Sequence, residues 1–194
     1  LTEGISNVTI ERVTTEGSSL AHYSVQLGGV HNVLVKDLVV ENPVKHPLSF
    51  NTFANKSVYQ NAFVRHAPVL DQHAGANHHN LFDHTRVQVE LDQSATTPGY
   101  ALFMGGGAGY WKPSHGINTT FWNTEVVFTN GALSEQPILL NGMEDGPGAR
   151  VIGVSANLPI RVEYGPGAYI EGVGTFYADI PSLYTYQLNR RLAR

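Results

Sequence analysis

A short β-branched segment that begins with asparagine recurs along this chain, and its spacing limits the possible folds more than any other feature. The segments cover residues 7–13, 32–38, 55–63 and 80–87, and their first asparagines are 25, 23 and 25 positions apart. A fixed period in this range indicates a solenoid. A second short strand is predicted in each coil, at residues 24–27, 48–51, 69–72 and 101–104. We therefore predict an all-β parallel β-helix with coils of about 23–25 residues, with an antiparallel sandwich as the alternative.

The repeat also suggests how the chain is divided. A fifth segment starts at Asn118, one period plus an insertion after Asn80, which predicts a Gly-rich inserted loop at 93–115 within a β-helix of residues 1–181. Residues 182–194 are predicted to form a C-terminal helix and tail, with Ser182 as the N-cap of a helix over 183–192. Because the pattern opens inside a repeat, we expect further N-terminal coils or self-association at that edge.

Composition excludes several classes of function. The 194 residues include no cysteine, which excludes disulfides, thiolate catalysis and cysteine-ligated metals. The net charge is −4 and no basic patch exists, so a nucleic-acid partner is not expected. No apolar stretch approaches the ~20 residues of a membrane span, so none is predicted.

Histidines and a few charged residues form the candidate catalytic site. Aligning the second strands places Tyr23, the pair Lys45 and His46, and the pair Asp71 and His73 on successive coils. Arg65 lies just ahead of that last strand, and His115 lies where the insertion re-enters the next coil. Imidazole, amine and guanidinium groups around one carboxylate suit proton abstraction beside a stabilised anion.

Tyr23 is a candidate for substrate binding rather than catalysis, and four further side chains are also candidates for substrate binding. His78 and His79 belong to the densest histidine stretch, and Tyr110 and Trp111 in the insertion have the character of sugar-stacking residues. No fixed metal-binding motif is present, so the metal ligands are unknown. Calcium on Asp71, Glu90 or Asp92 stays open, and no cofactor is certain.

Several of these motifs resemble a known group of proteins. The stretches Asp71-Gln72-His73, Asn80-Leu81-Phe82-Asp83, Gly105-Gly106-Gly107, His115-Gly116 and Phe121-Trp122-Asn123 resemble those of secreted right-handed β-helix proteins of the pectin-lyase-like superfamily. The resemblance implies a right-handed β-helix that acts outside the cell on an acidic or complex polysaccharide. The superfamily includes lyases, hydrolases and adhesins, so the likeness does not select one reaction.

Three functions are compatible with these residues. The first is a polysaccharide lyase that cleaves a uronic-acid-containing glycan by β-elimination. His73 or Lys45 would take the C5 proton, Arg65 with His46 or His115 would neutralise the carboxylate, and Asp71 would orient His73.

The second function is a glycoside hydrolase with Asp71 as general acid and Asp83 or Glu90 as its partner. The third is a non-catalytic glycan-binding or adhesion module.

Overall fold

The structure is a computed structural model that describes residues 2–105, 115–131 and 135–194. It is mostly β-strand with one short C-terminal helix. In chain order the strands are β1 (Thr2–Ser6), β2 (Thr9–Thr15), β3 (Ala21–His31), β4 (Leu34–Val40), β5 (Val44–Phe50), β6 (Val58–Gln60), β7 (Phe63–Val64), β8 (Leu70–Gln72) and β9 (Leu81–Asp83). They continue with β10 (Arg86–Val89), β11 (Gly99–Tyr100), β12 (Phe103–Met104), β13 (Thr120–Phe128), β14 (Ile138–Leu140), β15 (Arg150–Ala156), β16 (Ile160–Val162) and β17 (Tyr169–Val173), and the helix is α1 (Leu183–Leu192).

The strands form three sheets, and every strand pairing among the described residues is parallel. One sheet has the order β1-β3-β5-β8-β12, and a small one has the order β11-β14-β16. The long sheet contains the other nine strands. Each sheet joins strands that are distant in the sequence, so the chain visits the sheets repeatedly. The predicted second strands at 24–27, 48–51, 69–72 and 101–104 overlap β3, β5, β8 and β12 of the five-stranded sheet, although β12 covers only half of its predicted range.

In each coil, a turn precedes the strand that joins the long sheet. The residues that align in this turn differ from those that the asparagine spacing predicts. Asn7 and Asn32 have φ near 55°, and the corresponding positions on the next two strands are Lys56 and His79 rather than Asn55 and Asn80. Asn80 instead accepts a hydrogen bond from the Ser57 N–H at 3.1 Å. The turn position shared by Asn7, Asn32, Lys56 and His79 requires a left-handed backbone. Asparagine, histidine and glycine tolerate this conformation best.

The core lies between the sheets and is rich in aromatic rings. Tyr59, Phe82 and Phe121 occupy equivalent positions on β6, β9 and β13, and their rings are stacked with centroids 5.7 and 5.0 Å apart. Phe50, on β5 of the opposite sheet, packs against Tyr59 and Phe82. Because residues alternate along a strand, the neighbours of these rings point away from the core. The outward positions carry the polar side chains described below.

The C-terminal helix forms where the sequence predicts it, from Leu183 to Leu192 with Ser182 as its N-cap. It packs on the outer face of the long sheet through polar contacts, and none of its residues is buried. No helix in the described part of the chain is long and apolar enough to span a membrane.

Candidate functional site

The candidate site surrounds Asp71, a completely buried carboxylate on β8. The neighbouring residues Leu70 and Gln72 have the opposite orientation on the strand, and Leu70 belongs to the core. Asp71 is the register partner of Ser49 on β5, and the Ser49 hydroxyl donates a hydrogen bond to Oδ2 of Asp71 at 2.8 Å. The parallel register therefore brings a hydroxyl from the preceding strand onto the carboxylate.

Two imidazoles contact the same carboxylate oxygen. Nδ1 of His73 lies 2.9 Å from Oδ2 of Asp71, and Nδ1 of His46 lies 3.1 Å from it. The geometry of the His73 contact is that of a hydrogen bond. The His46 nitrogen has no well-directed hydrogen bond, so we treat its contact as electrostatic. Both side chains are largely buried, at 10% exposed for His46 and 13% for His73.

A tyrosine completes the cluster at its open side. The Tyr23 hydroxyl lies 3.0 Å from Nε2 of His73, and the Tyr23 ring stacks on His46 with centroids 5.2 Å apart. Since Nδ1 of His73 faces a carboxylate, it carries the hydrogen, and Nε2 accepts the hydrogen of Tyr23. Tyr23, His73 and Asp71 thus form a continuous hydrogen-bonded chain, here called the Tyr23–His73–Asp71 relay.

The relay has defined electrostatics. Burial raises the pKa of Asp71, but the close contacts with the His46 and His73 imidazoles and the charge of these rings outweigh it and hold the pKa below its ordinary value. Burial, and secondarily the charge of Asp71, raises the pKa of Tyr23. At neutral pH the relay therefore contains an ionised carboxylate at its inner end and a protonated phenol at its outer end.

A buried tyrosine in the core, Tyr59, binds the backbone of Ser49, the residue whose hydroxyl contacts Asp71. The hydroxyl of Tyr59 accepts a hydrogen bond from the Ser49 N–H at 3.2 Å and donates to the carbonyl of Val25 at 2.6 Å. It also lies 3.0 Å from the carbonyl of Ser49. Ser49 is thereby held in place by the core while its side chain binds Asp71. Sequence reasoning missed Ser49 and Tyr59, although Ser49 lies 22 residues before Asp71, close to one repeat.

Two other predicted residues, Lys45 and His115, lie at the rim of the cluster together with His22. Lys45 is exposed on β5, next to His46. His22 is exposed beside Tyr23, and its ring centroid is 5.2 Å from that of His46. Partial desolvation, followed by the charges of His46, Lys45 and His73, lowers the pKa of His22. His115 lies beside Gly105, where an added Cβ would approach its Nε2 to 2.6 Å, and Gly105 follows the register partner of Asp71.

The structure does not bring Arg65 into the relay. Arg65 follows β7 in the long sheet, where its guanidinium pairs with both carboxylate oxygens of Glu41 and lies over the ring of Phe63. It is therefore engaged in a cross-strand ion pair. The spacing of 24 residues between Glu41 and Arg65 is one repeat, which is the signal that could have revealed the pair.

The remaining predicted binding residues lie outside the relay or outside the described residues. Nδ1 of His78 and Nδ1 of His79 are 2.9 Å apart, and Nε2 of His79 is 3.3 Å from the amide nitrogen of Asn118. Both histidines belong to the turn before the long sheet. Tyr110 and Trp111 lie outside the described residues.

Of the two carboxylates proposed as partners of Asp71 in the hydrolase hypothesis, Asp83 is engaged elsewhere and Glu90 is exposed directly after β10. Asp83 is fully buried and binds the start of α1, accepting hydrogen bonds from the Ser182 hydroxyl at 2.6 Å and from the Leu183 and Tyr184 N–H groups at 2.9 and 3.0 Å. Burial raises the pKa of Asp83 despite these hydrogen bonds. Asp92 accepts hydrogen bonds from the backbone and hydroxyl of Ser94.

One group of side chains in the described part of the chain has the composition of a metal site, namely His46, Asp71 and His73. Two nitrogens and one oxygen suit a transition metal better than calcium, which prefers oxygen ligands. Both ring nitrogens of His73 already have hydrogen-bond partners, however. Nδ1 of His73 is therefore already paired with the carboxylate that would be its fellow ligand.

Comparisons with models of protein families, with curated protein sequences and with solved structures found no match to this chain.

Proposed function

We propose that this chain is a secreted polysaccharide lyase that cleaves a uronic-acid-containing glycan by β-elimination. The observation that carries the proposal is the Tyr23–His73–Asp71 relay, which joins a protonated phenol at the open side to a buried carboxylate. The proposed architecture is a right-handed parallel β-helix of the pectin-lyase-like type. Its support is the parallel pairing of strands about one repeat apart, together with the right-handedness of nearly all parallel crossovers.

The proposed reaction begins with removal of the C5 proton of a uronate. The Tyr23 oxygen accepts that proton while its own hydrogen passes to Nε2 of His73, which becomes an imidazolium paired with Asp71. The C5 electron pair then forms the C4=C5 double bond, and the C4–O bond breaks. Return of the imidazolium proton through Tyr23 to the departing oxygen restores the relay. No external oxidant or reductant is needed, because protons and electrons balance within this cycle.

The uronate carboxylate must be neutralised for C5 to lose its proton. Lys45 is the best candidate, because it is exposed at the rim beside His46 and close enough to His22 to lower the pKa of that side chain. His22 joins it as a hydrogen-bond donor. Arg65 is not used, since it is paired with Glu41. His115, Tyr110 and Trp111 remain proposed contributors to substrate binding.

The products of digestion test the reaction. We expect incubation with uronic-acid polysaccharides to release unsaturated fragments, each lighter by one water than the hydrolysis product, in mass spectra. His73→Ala should lower turnover by about 10²–10⁴-fold, and the matched control His66→Ala, an exposed histidine outside the relay, should retain it. Unchanged turnover in His73→Ala contradicts the assignment.

The two alternatives predict different results. A hydrolase would give saturated fragments, and it needs a protonated Asp71, which the lowered pKa of that residue disfavours. A non-catalytic glycan-binding module would retain the polymer without releasing fragments. The relay favours the lyase, because pure binding does not need a phenol, an imidazole and a carboxylate in series.

A further inference from the structure

Phe53 has two unfavourable features at once. The residue is 63% exposed, and its φ is +60°. Asparagine, aspartate and histidine are the usual non-glycine residues in the left-handed region, whereas a bulky side chain there is an outlier. Among the described residues, Phe53 is the one phenylalanine, tyrosine or tryptophan with positive φ. The combination of a strained backbone with an exposed aromatic ring makes Phe53 a candidate for a role other than stability.

The backbone around Phe53 is held by the strands on either side. The Phe53 N–H donates to the carbonyl of Gly75 at 2.9 Å, and the Thr52 carbonyl accepts a hydrogen bond from the Gly29 N–H at 2.6 Å. The side-chain Nδ2 of Asn55 donates a hydrogen bond to the Phe53 carbonyl at 2.9 Å. Gly75 permits this approach, because a Cβ there would lie 2.9 Å from the Thr52 side chain. The ring is therefore presented from a fixed turn.

The ring borders an open cavity of about 450 Å³. The polar side chains of Ser6, His31 and Asn55 also line it, and Nδ1 of His31 lies 2.6 Å from Oδ1 of Asn55. An aromatic face beside hydroxyl, imidazole and amide groups complements a pyranose ring, which has an apolar C–H face and a rim of hydroxyls.

Phe53 lies at a short distance from the relay along the backbone. Gly75, whose carbonyl binds the Phe53 N–H, lies only two residues after His73. From the reach of the chain, the backbone of Phe53 is within roughly 12 Å of the backbone of His73. A polymer held at the relay can therefore extend to this ring.

We propose that Phe53 is the stacking platform of a sugar-binding subsite, where it holds a pyranose ring of the glycan while Ser6, His31 and Asn55 bind its hydroxyls. The subsite rests on the proposed function for the identity of its polymer, since it takes another sugar of the chain that the relay cleaves. Its existence as a glycan site does not depend on elimination chemistry.

Substitution of Phe53 by glycine gives opposite effects on stability and binding. Phe53→Gly relieves the backbone strain and removes exposed apolar surface, so its melting temperature should match or exceed that of the parent chain. Its affinity for polymer should fall about tenfold, as measured by affinity electrophoresis in gels containing uronic-acid or neutral polysaccharides. Phe53→Tyr should retain binding. A structural role for the ring predicts the reverse, namely a lower melting temperature with unchanged affinity.

Ala67→Gly is the matched control, because Ala67 is also exposed with positive φ, at 41°. It should share the gain in stability without losing affinity. If polymer is retained through Phe53 but never cleaved, the lyase proposal fails and the subsite stands. If Phe53→Gly binds as the parent does, or the parent retains no polymer, the subsite is overturned, whether or not cleavage occurs.

Discussion

Two buried aspartates of this chain differ only in what surrounds them. Asp71 on β8 and Asp83 on β9 are both completely buried, and both point away from the core of a parallel sheet. Asp71 meets a hydroxyl and two imidazoles, and its pKa is lowered. Asp83 meets the first N–H groups of a helix and a serine, and its pKa is raised by burial. Burial of a carboxylate is thus insufficient to identify a catalytic site.

The partners explain the difference. Imidazoles can become cations and can exchange protons with a substrate, so a carboxylate beside them is suited to the proposed chemistry. Backbone N–H groups at a helix start only donate hydrogen bonds, so a carboxylate there anchors the helix. The two residues therefore offer a paired experiment, in which the same substitution is made at both positions.

The largest expected difference is in turnover. Asp71→Asn should lower kcat by about 10²–10⁴-fold, because the amide no longer fixes the proton on Nδ1 of His73 or stabilises the imidazolium. Asp83→Asn should leave kcat within about twofold. Rates of unsaturated product formation, with circular dichroism to verify folding, measure both. Equal losses in the two variants would mean that Asp71 has only a structural role.

The next difference is in stability at the helix. Asp83→Ala removes the acceptor for three hydrogen bonds at the start of α1 and should cost about 1–2 kcal/mol. Limited proteolysis should then cleave the C-terminal segment earlier. Asp179→Ala changes an exposed carboxylate of the same segment and is the control. Equal protection of α1 in both variants would contradict the anchoring role.

A smaller difference is in the pH dependence of unfolding. Because the pKa of Asp71 is lowered in the folded state, this residue stabilises the fold at pH values above 3.8, its ordinary pKa. The contribution disappears as the pH falls through the folded-state pKa. The raised pKa of Asp83 acts in the opposite sense, since stability falls as the pH rises from 3.8 through its folded-state pKa. Denaturant titrations between pH 2 and 7 measure the free energy of unfolding at each pH. Asp71→Asn should reduce the decrease of this free energy on acidification, and Asp83→Asn should remove its decrease with rising pH. Slopes of the same sign would contradict the comparison.

The smallest expected effect is that of chelation. If His46, Asp71 and His73 handle protons, dialysis against a chelator should leave both turnover and melting temperature unchanged. Loss of turnover that returns on addition of a transition metal, but not of calcium, would instead assign these side chains to a metal.

Local signals predicted the helix well. With Ser182 as N-cap, the sequence predicts a helix over 183–192, and both ends are confirmed by α1 (Leu183–Leu192). These signals succeed because a helix is stabilised mainly by residues a few positions apart. The contact of the helix with Asp83, about 100 residues earlier, has no such local signal.

The repeat predicted parts of the site but not its partners. Aligning the second strands anticipated the meeting of Tyr23, His46 and His73, which the structure shows. The asparagine spacing predicted Asn55 and Asn80 at the left-handed turn position of their coils, but Lys56 and His79 occupy it. The prediction was wrong by one residue because the turn requires a backbone conformation rather than a residue type. Arg65 was placed with Asp71 from proximity in sequence, whereas its partner is one repeat away.

The hydroxyl of Tyr59 has a consequence for how this interior can evolve. Tyr59→Phe preserves shape and nearly preserves volume, and a packing argument would consider it harmless. It would nevertheless release the Ser49 peptide, and with it the hydroxyl that steadies Asp71. Natural variation at this ring should therefore be limited by the chemistry on the outer face rather than by the space inside.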